Sequence, residues 1–355
     1  MTDERIKKLR LKMSEKSIDA MLVTSRSNVL YLSGFSGTSG DLVITHDAQY
    51  ILCDSRYTEQ ASQQCPQFEC INVKDGVYNV INKIIAYHRI VRIGVEDREI
   101  TFAVYEGMKT ALKSMLIPVG GMISHMREIK DETELRVLKK AASIGDMAYE
   151  AAIKAIKPGV SEIEIAAEIE YVMRKNGATS TSFETIVASG ENSSKPHGTA
   201  SQRKIQNGDL IVMDFGCIYN GYCSDMTRTV AVGDIALPQR NSYNALLYTQ
   251  LKMVNLIKNG MVCNEVDKIS RNILETLGYG KYFTHSLGHG VGIDVHEMPN
   301  LSPKCDKTLV PGMVVTVEPG VYFDGLFGIR IEDTVVILDK NIEIITNSPK
   351  ELLII

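Results

Sequence analysis

Tryptophan is absent from the 355 residues, and aromatic residues of all kinds make up only 6% of them. No indole is available to stack on a substrate ring. No CxxC pair occurs among the seven cysteines, at positions 53, 65, 70, 217, 223, 263 and 305. Their odd number and scattered spacing exclude a disulfide framework and a zinc knuckle, so free thiols in a reducing compartment are expected. No stretch approaches the roughly 20 apolar residues of a membrane span. The opening Met-Thr-Asp-Glu-Arg-Ile-Lys-Lys has no apolar signal core, and a cytoplasmic protein without membrane contact is expected. The net charge is −4 and no long basic run exists to track phosphates, so nucleic acid is not an expected partner. The N-terminal glycines do not form GxGxxG, which argues against a nucleotide site.

What is present has the balance of a globular chain, long enough for two domains. Residues 1–125 alternate between the two element types. Residues 3–17 carry Ile6, Leu9 and Met13 at helical spacing, and Asp19–Thr24 reads as a buried strand. Asn28–Leu32 is a second apolar run, and strands at Leu42–Thr45 and Gln49–Cys53 flank a turn at His46-Asp47. Asp54 is placed to cap a helix, and helix, strand and helix follow at Ile81–Tyr87, Arg92–Glu96 and Thr101–Lys113. A small α/β domain is predicted. In residues 126–355 the texture changes. Asp131 with Glu134 and Ser161 with Glu164 form capping boxes, opening helices that Pro158-Gly159 and Gly177 stop. A second helix pair spans Arg240–Lys258 and Asn264–Gly278, which hints at an internal duplication. Apolar strands at Leu210–Phe215, Thr227–Val232, Val314–Val317 and Ile329–Leu338 fit a curved, largely antiparallel sheet with helices outside it.

Three of the seven histidines, His285, His289 and His296, fall between Tyr282 and Met298 among Gly288, Gly290 and Gly292. Glycines there admit close backbone approach or positive φ, and imidazoles in that setting ligate metal or move protons. Upstream, Asn220-Gly221 is a strong hairpin signal. With those two residues as the turn, Asp214 pairs with Thr227, and Asp225 lies on the same face two residues away. Two carboxylates project together and require a cation between them, or a single Asp–Arg pair through Arg228 with the other aspartate solvated. Downstream, Glu318 ends an apolar strand before Pro319. Arg330 and Glu332 alternate with isoleucines, as an intrastrand salt bridge or as groups meeting outside partners. Asp214, Asp225, His289, Glu318 and Glu332 make four carboxylates and one imidazole, balancing two divalent cations. Such oxygen-rich ligation suits Mn²⁺, with Co²⁺, Fe²⁺ or Zn²⁺ as alternatives. Two such ions can activate water and polarise a carbonyl, the chemistry of a hydrolase.

The order Asp…Asp…His…Glu…Glu, in these local contexts, resembles the pita-bread metallopeptidases: methionine aminopeptidase, prolidase, aminopeptidase P and creatinase. The resemblance covers essentially the whole chain. It implies a creatinase-like N-terminal domain, from Tyr31-Leu-Ser-Gly-Phe-Ser-Gly-Thr-Ser-Gly and Asp54-Ser-Arg-Tyr, and a pita-bread α+β catalytic domain. It implies that Asp214 and Glu332 bridge two metals, that Asp225 serves one, and that His289 and Glu318 serve the other. Lys195-Pro-His197-Gly resembles the segment carrying an active-site histidine. His285 and His296 flank the ligand histidine as in the proline-specific members, with His296 near the scissile carbonyl or the proline. Glu318-Pro-Gly-Val-Tyr322 and Gly-Ile-Arg330-Ile-Glu extend the likeness, with Tyr322, Arg330, His197 and His296 at the substrate and Glu318 shuttling a proton. The implied activity is an exopeptidase releasing the residue before proline, closest to bacterial aminopeptidase P, with prolidase as the alternative. A non-catalytic peptide-binding relative and a creatinase-like amidine hydrolase remain as rivals, both marked by lost ligands, and none is lost here. A homodimer is implied, which sedimentation would test.

Overall fold

The structure is a computed structural model that describes residues 2–355. It divides into a compact unit ending at Arg127 and a second spanning Glu128–Ile355. In the first, six strands are ordered Glu69–Asn72, Gln49–Cys53, Asp41–Thr45, Ala20–Val23, Arg92–Val95 and Met115–Pro118. Asp41–Thr45 runs antiparallel to both neighbours, and the short turn after it closes a hairpin with Gln49–Cys53. The other pairings are parallel, each reached through a helical crossover. The apolar run at Asn28–Leu32 is helical, within Arg26–Ser33, and Gly34 at φ 83° ends it. The expected cap at Asp54 is corrected. The helix starts at Thr58, and the Asp54 carboxylate accepts from the Arg56 amide at 2.9 Å within an isolated turn upstream. That local bond holds Asp54–Tyr57 out of the helix.

The second unit contains two helix pairs, Glu132–Ala155 with Glu162–Lys175 and Leu237–Leu256 with Cys263–Thr276. Both capping boxes form as read: Asp131 accepts from the Thr133 and Glu134 amides, and Glu164 returns to the Ser161 amide at 2.8 Å. The first pair packs with the sheet of Ile186–Ser189, Leu210–Phe215 and Met226–Ala231 in one core. The second pair packs with the five-stranded sheet that includes Gly288–Gly290, Val314–Val317 and Asp333–Ile337. Every named strand pairing in this unit is antiparallel. Among the described residues no helix is long and apolar enough to cross a membrane.

The strand expected over Ile329–Leu338 is two strands. Phe327–Arg330 pairs with Gly320–Phe323, whereas Asp333–Ile337 pairs with Val314–Val317. The facing strands are separated at Glu318-Pro319, where proline supplies no amide to a ladder. The chain opposite jogs at Ile331-Glu332 to match. Two of the carboxylates singled out in the sequence sit at this shared jog.

Candidate metal centre

The hairpin register is the one the sequence dictates. Asn220 and Gly221 take φ 47° and 82°, both positive as a tight hairpin turn requires, and Asp214 pairs with Thr227. Thr227 is the hub of this face. Its hydroxyl donates to Glu332 Oε2 at 2.7 Å and accepts from Arg330 Nε at 3.0 Å. Arg330 therefore does not close a salt bridge on Glu332. It reaches Asp214 Oδ2 at 2.5 Å, and its Nη1 donates to the Tyr322 hydroxyl at 2.7 Å and the Pro196 carbonyl at 3.0 Å. The alternative pairing of Arg228 with a site aspartate is excluded. By strand alternation Arg228 points to the opposite face, where it meets Asp333 at 2.9 Å.

The histidine stretch approaches from the second sheet. A Cβ on Gly288 would lie 2.0 Å from the Thr316 carbonyl oxygen, so only glycine allows that strand contact. The Thr316 hydroxyl accepts from the His289 amide at 3.0 Å and donates to Glu318 Oε1 at 3.1 Å. His289 Nδ1 is bonded to the Gly290 carbonyl at 3.1 Å, which leaves Nε2 facing the carboxylates. That nitrogen lies 3.3 Å from Glu318 Oε1 and 3.5 Å from Asp225 Oδ2. Asp225, His289 and Glu332 offer ligand atoms all within 4.8 Å of one another. The His296 ring packs edge-on to His289, with centroids 4.3 Å apart. His285 Nδ1 donates to the Ser286 carbonyl at 2.8 Å, so its Nε2 can accept from the Tyr322 hydroxyl at 3.2 Å.

All ten residues named from the sequence, His197, Asp214, Asp225, His285, His289, His296, Glu318, Tyr322, Arg330 and Glu332, line one cavity of about 550 Å³. Sequence reasoning missed the wall formed by Phe183, Glu184, Thr199 and Asn300, and the threonines Thr227 and Thr316 as organisers. A signal existed for the threonines: each is cross-strand from, or two residues from, a site carboxylate. Cys223 shares the aspartates' strand parity, but its thiol donates to the Ile293 carbonyl at 3.2 Å.

Comparison with known proteins decides the family. Residues 136–339 match the model of metallopeptidase family M24, and residues 5–129 match the creatinase/prolidase N-terminal domain. The chain belongs to metallopeptidase family M24. It is 38% identical to the Xaa-Pro dipeptidase of Pyrococcus horikoshii, over 99% of both chains. Among solved structures it superposes on an Xaa-Pro dipeptidase from Bacillus anthracis with a TM-score of 0.97, at 42% identity and covering 100% of both chains. An X-Pro aminopeptidase from Thermotoga maritima gives a TM-score of 0.90 at 37% identity, covering 96% of this chain and 98% of that one.

The residues of the M24 site fit divalent metal. Asp214 Oδ1 and Glu332 Oε1 are buried polar atoms with no hydrogen-bond partner. Such atoms are costly unless a cation faces them. Burial first, and neighbouring carboxylates second, hold Asp225 and Glu332 well above the ordinary carboxylate range. Burial, opposed by Arg330 and reinforced by Asp214, pushes Glu318 from 4.5 up to about 8. A carboxyl with a raised value stabilises the metal-free fold fully below its unfolded value, and that stabilisation disappears as pH rises through the folded value. For Glu318 the window runs from 4.5 to about 8. The thermal midpoint gained by adding divalent metal to chelated protein is therefore expected to widen as pH rises across this window. An equal gain at both ends, measured by calorimetry, would contradict the carboxylate cluster as the metal site.

Proposed function

We propose that this M24 metallopeptidase hydrolyses the bond preceding proline and releases the N-terminal residue. The observation that carries the reading is the pair of unbonded buried oxygens, Asp214 Oδ1 and Glu332 Oε1, inside a complete set of four carboxylates and one imidazole. Asp214, Asp225, His289, Glu318 and Glu332 would hold two ions, Mn²⁺ first, with Co²⁺, Fe²⁺ or Zn²⁺ also fitting. The metal pair supplies Lewis-acid activation of water and of the scissile carbonyl. The chain's own groups do the rest. Glu318 takes the proton of the attacking water and passes it to the departing proline nitrogen, and the Thr316 hydroxyl on Oε1 keeps the carboxylate oriented. His197 and His296 donate to the developing oxyanion from the cavity wall. Burial, with the Arg330 charge second, lowers His285 to about 4, so its imidazole is neutral and accepts from Tyr322. Arg330 and Tyr322 bound the substrate space while their polar atoms fix Asp214 and the Pro196 carbonyl. The full ligand set sets the chain apart from a peptide-binding relative without catalysis.

Substrate length admits two readings. Similarity along the whole chain to proteins named Xaa-Pro dipeptidase supports dipeptides. The aminopeptidase reading is favoured by the cavity wall, where Arg330 is the one lysine or arginine among the described lining residues and is already paired with Asp214 and bonded to Thr227, Tyr322 and the Pro196 carbonyl. A dipeptide's free carboxylate would have no free guanidinium or ammonium there to receive it. Steady-state kinetics on Xaa-Pro and Xaa-Pro-Yaa at fixed Mn²⁺ separate the two. The dipeptidase reading expects kcat/KM for the dipeptide at least about tenfold above the tripeptide, roughly 1.4 kcal/mol in the transition state. The reverse ratio makes the protein an aminopeptidase, and cleavage of neither sinks the proline specificity.

A further inference from the structure

The segment between Ser189 and Ser201 brings two groups to the site from outside the metal-ligand strands. Pro196 offers its carbonyl to Arg330 Nη1 at 3.0 Å, and His197 stands on the cavity wall. His197 is exposed and its side chain has no hydrogen bond among the described residues, so its placement depends on the backbone that carries it. That backbone contains a short 3₁₀ turn, Gly190–Ser194, and otherwise loops.

What fixes it lies behind the cavity. Glu162, the first residue of the Glu162–Lys175 helix, is fully buried and is not a cavity-lining residue. Its Oε1 accepts from the Ser189 amide at 2.6 Å and the Ser189 hydroxyl at 2.7 Å. Its Oε2 accepts from Asn192 Nδ2 at 2.9 Å, the Ser201 amide at 3.0 Å and the Ser201 hydroxyl at 2.5 Å. One carboxylate thus gathers the start, the middle and the end of the segment. Arg203 Nη1 supports the arrangement from the side, donating to the Ser189 hydroxyl at 2.6 Å while paired with Asp209. A buried carboxylate is costly, and this one is balanced by donors that all belong to the segment serving the site. A helix-start carboxylate serving only the helix would instead bond the amides of its own first turn.

We infer that Glu162 is a positioning residue for hydrolysis: it sets His197 at the reacting carbonyl and the Pro196 carbonyl against Arg330. The inference rests on the reading of the cavity as an Xaa-Pro peptidase site, and its test separates the two. Hydrogen exchange on the metal-loaded protein compares wild type with Glu162→Gln. Faster exchange confined to residues 189–201 is expected, and unchanged exchange there overturns the inference whatever the activity. On an Xaa-Pro peptide, Glu162→Gln is expected to lower kcat about ten- to hundredfold with little change in KM, as misplacement of a group by about an ångström does. A cycle with His197→Ala gives a readout that general loosening would not. If Glu162 acts through His197, the double variant is no slower than the slower single one, and additive losses overturn the inference. Glu162→Asp, which keeps the charge, is expected to recover part of kcat. Should Glu162→Gln fail to fold, Asn192→Ala and Ser201→Ala each remove one donor and carry the same comparisons. Wild-type protein inert toward every Xaa-Pro peptide would overturn the reading of the site, and the exchange arm would then decide the positioning alone.

Discussion

Dialysis against a strong chelator is expected to abolish peptide hydrolysis, by at least about a hundredfold, because metal activation is worth several kcal/mol of barrier. Mn²⁺ or Co²⁺ should restore it to the wild type but not to Asp214→Asn or Glu332→Gln. These two residues are chosen because each has one oxygen held by the protein and one left without a partner. Asp214 Oδ2 is fixed by Arg330 and Glu332 Oε2 by Thr227, while Asp214 Oδ1 and Glu332 Oε1 are unbonded. An amide in either place keeps the shape, removes the charge and can present a hydrogen where a cation belongs. Metal content after desalting should fall with activity in both variants. Chelated protein that hydrolyses at the original rate would end the metallopeptidase mechanism for this chain.

The largest expected loss of stability without contact with the cavity comes from Arg228→Ala. The guanidinium is buried at 1% exposure and pairs with Asp333, which is at 0%. It also donates to the Ser348 carbonyl at 3.0 and 2.8 Å and to the Thr227 carbonyl at 2.9 Å. Asp333 takes further bonds from Gln250 at 2.8 Å and Lys350 at 2.5 Å. Truncation removes the guanidinium from a buried carboxylate that keeps Gln250, Lys350 and Thr346, and takes a donor from the Ser348 and Glu332 carbonyls; breaking a buried pair in this way costs about 3–5 kcal/mol. Denaturant titration should show the midpoint fall. Because Arg228 also donates to the Glu332 carbonyl, metal affinity should weaken in the same variant. A loss below about 1 kcal/mol would mean that Lys350, Gln250 and Thr346 hold Asp333 without the guanidinium.

Much of this was legible in the sequence, for identifiable reasons. The Asn220-Gly221 turn sets the register of the hairpin by two residues alone, and strand alternation then brings Asp214, Thr227 and Asp225 together. The capping boxes at Asp131 and Ser161 are local chemistry and form as read. What was not legible depends on distant parts of the chain. The split of Ile329–Leu338 follows from Pro319 on a neighbouring strand, and periodicity within the segment carries no trace of it. Asp54 satisfied every local rule for a cap and was diverted by Arg56, two residues away. The partner of Arg330 could not be assigned because Glu332 shares its strand parity while Asp214 reaches it from another strand, and the partner of Arg228, Asp333, lies far along the chain. Nothing in the sequence singles out Glu162, because its five donors come from residues 27 to 39 positions further along the chain.

The hydrogen bond from Thr227 to Glu332 joins residues 105 apart in the chain. During synthesis the hairpin with Asp214 and Asp225 therefore emerges well before the strand pair that completes the site. At about 5–20 residues per second the interval is roughly 5–20 s. Until His289 and then Glu318 follow, part-way through that interval, the two aspartates have only water to face them and remain hydrated charges on an otherwise apolar hairpin. Metal capture is then one of the last events in the life of the nascent chain. A chain stalled before residue 332 would carry only part of the ligand set.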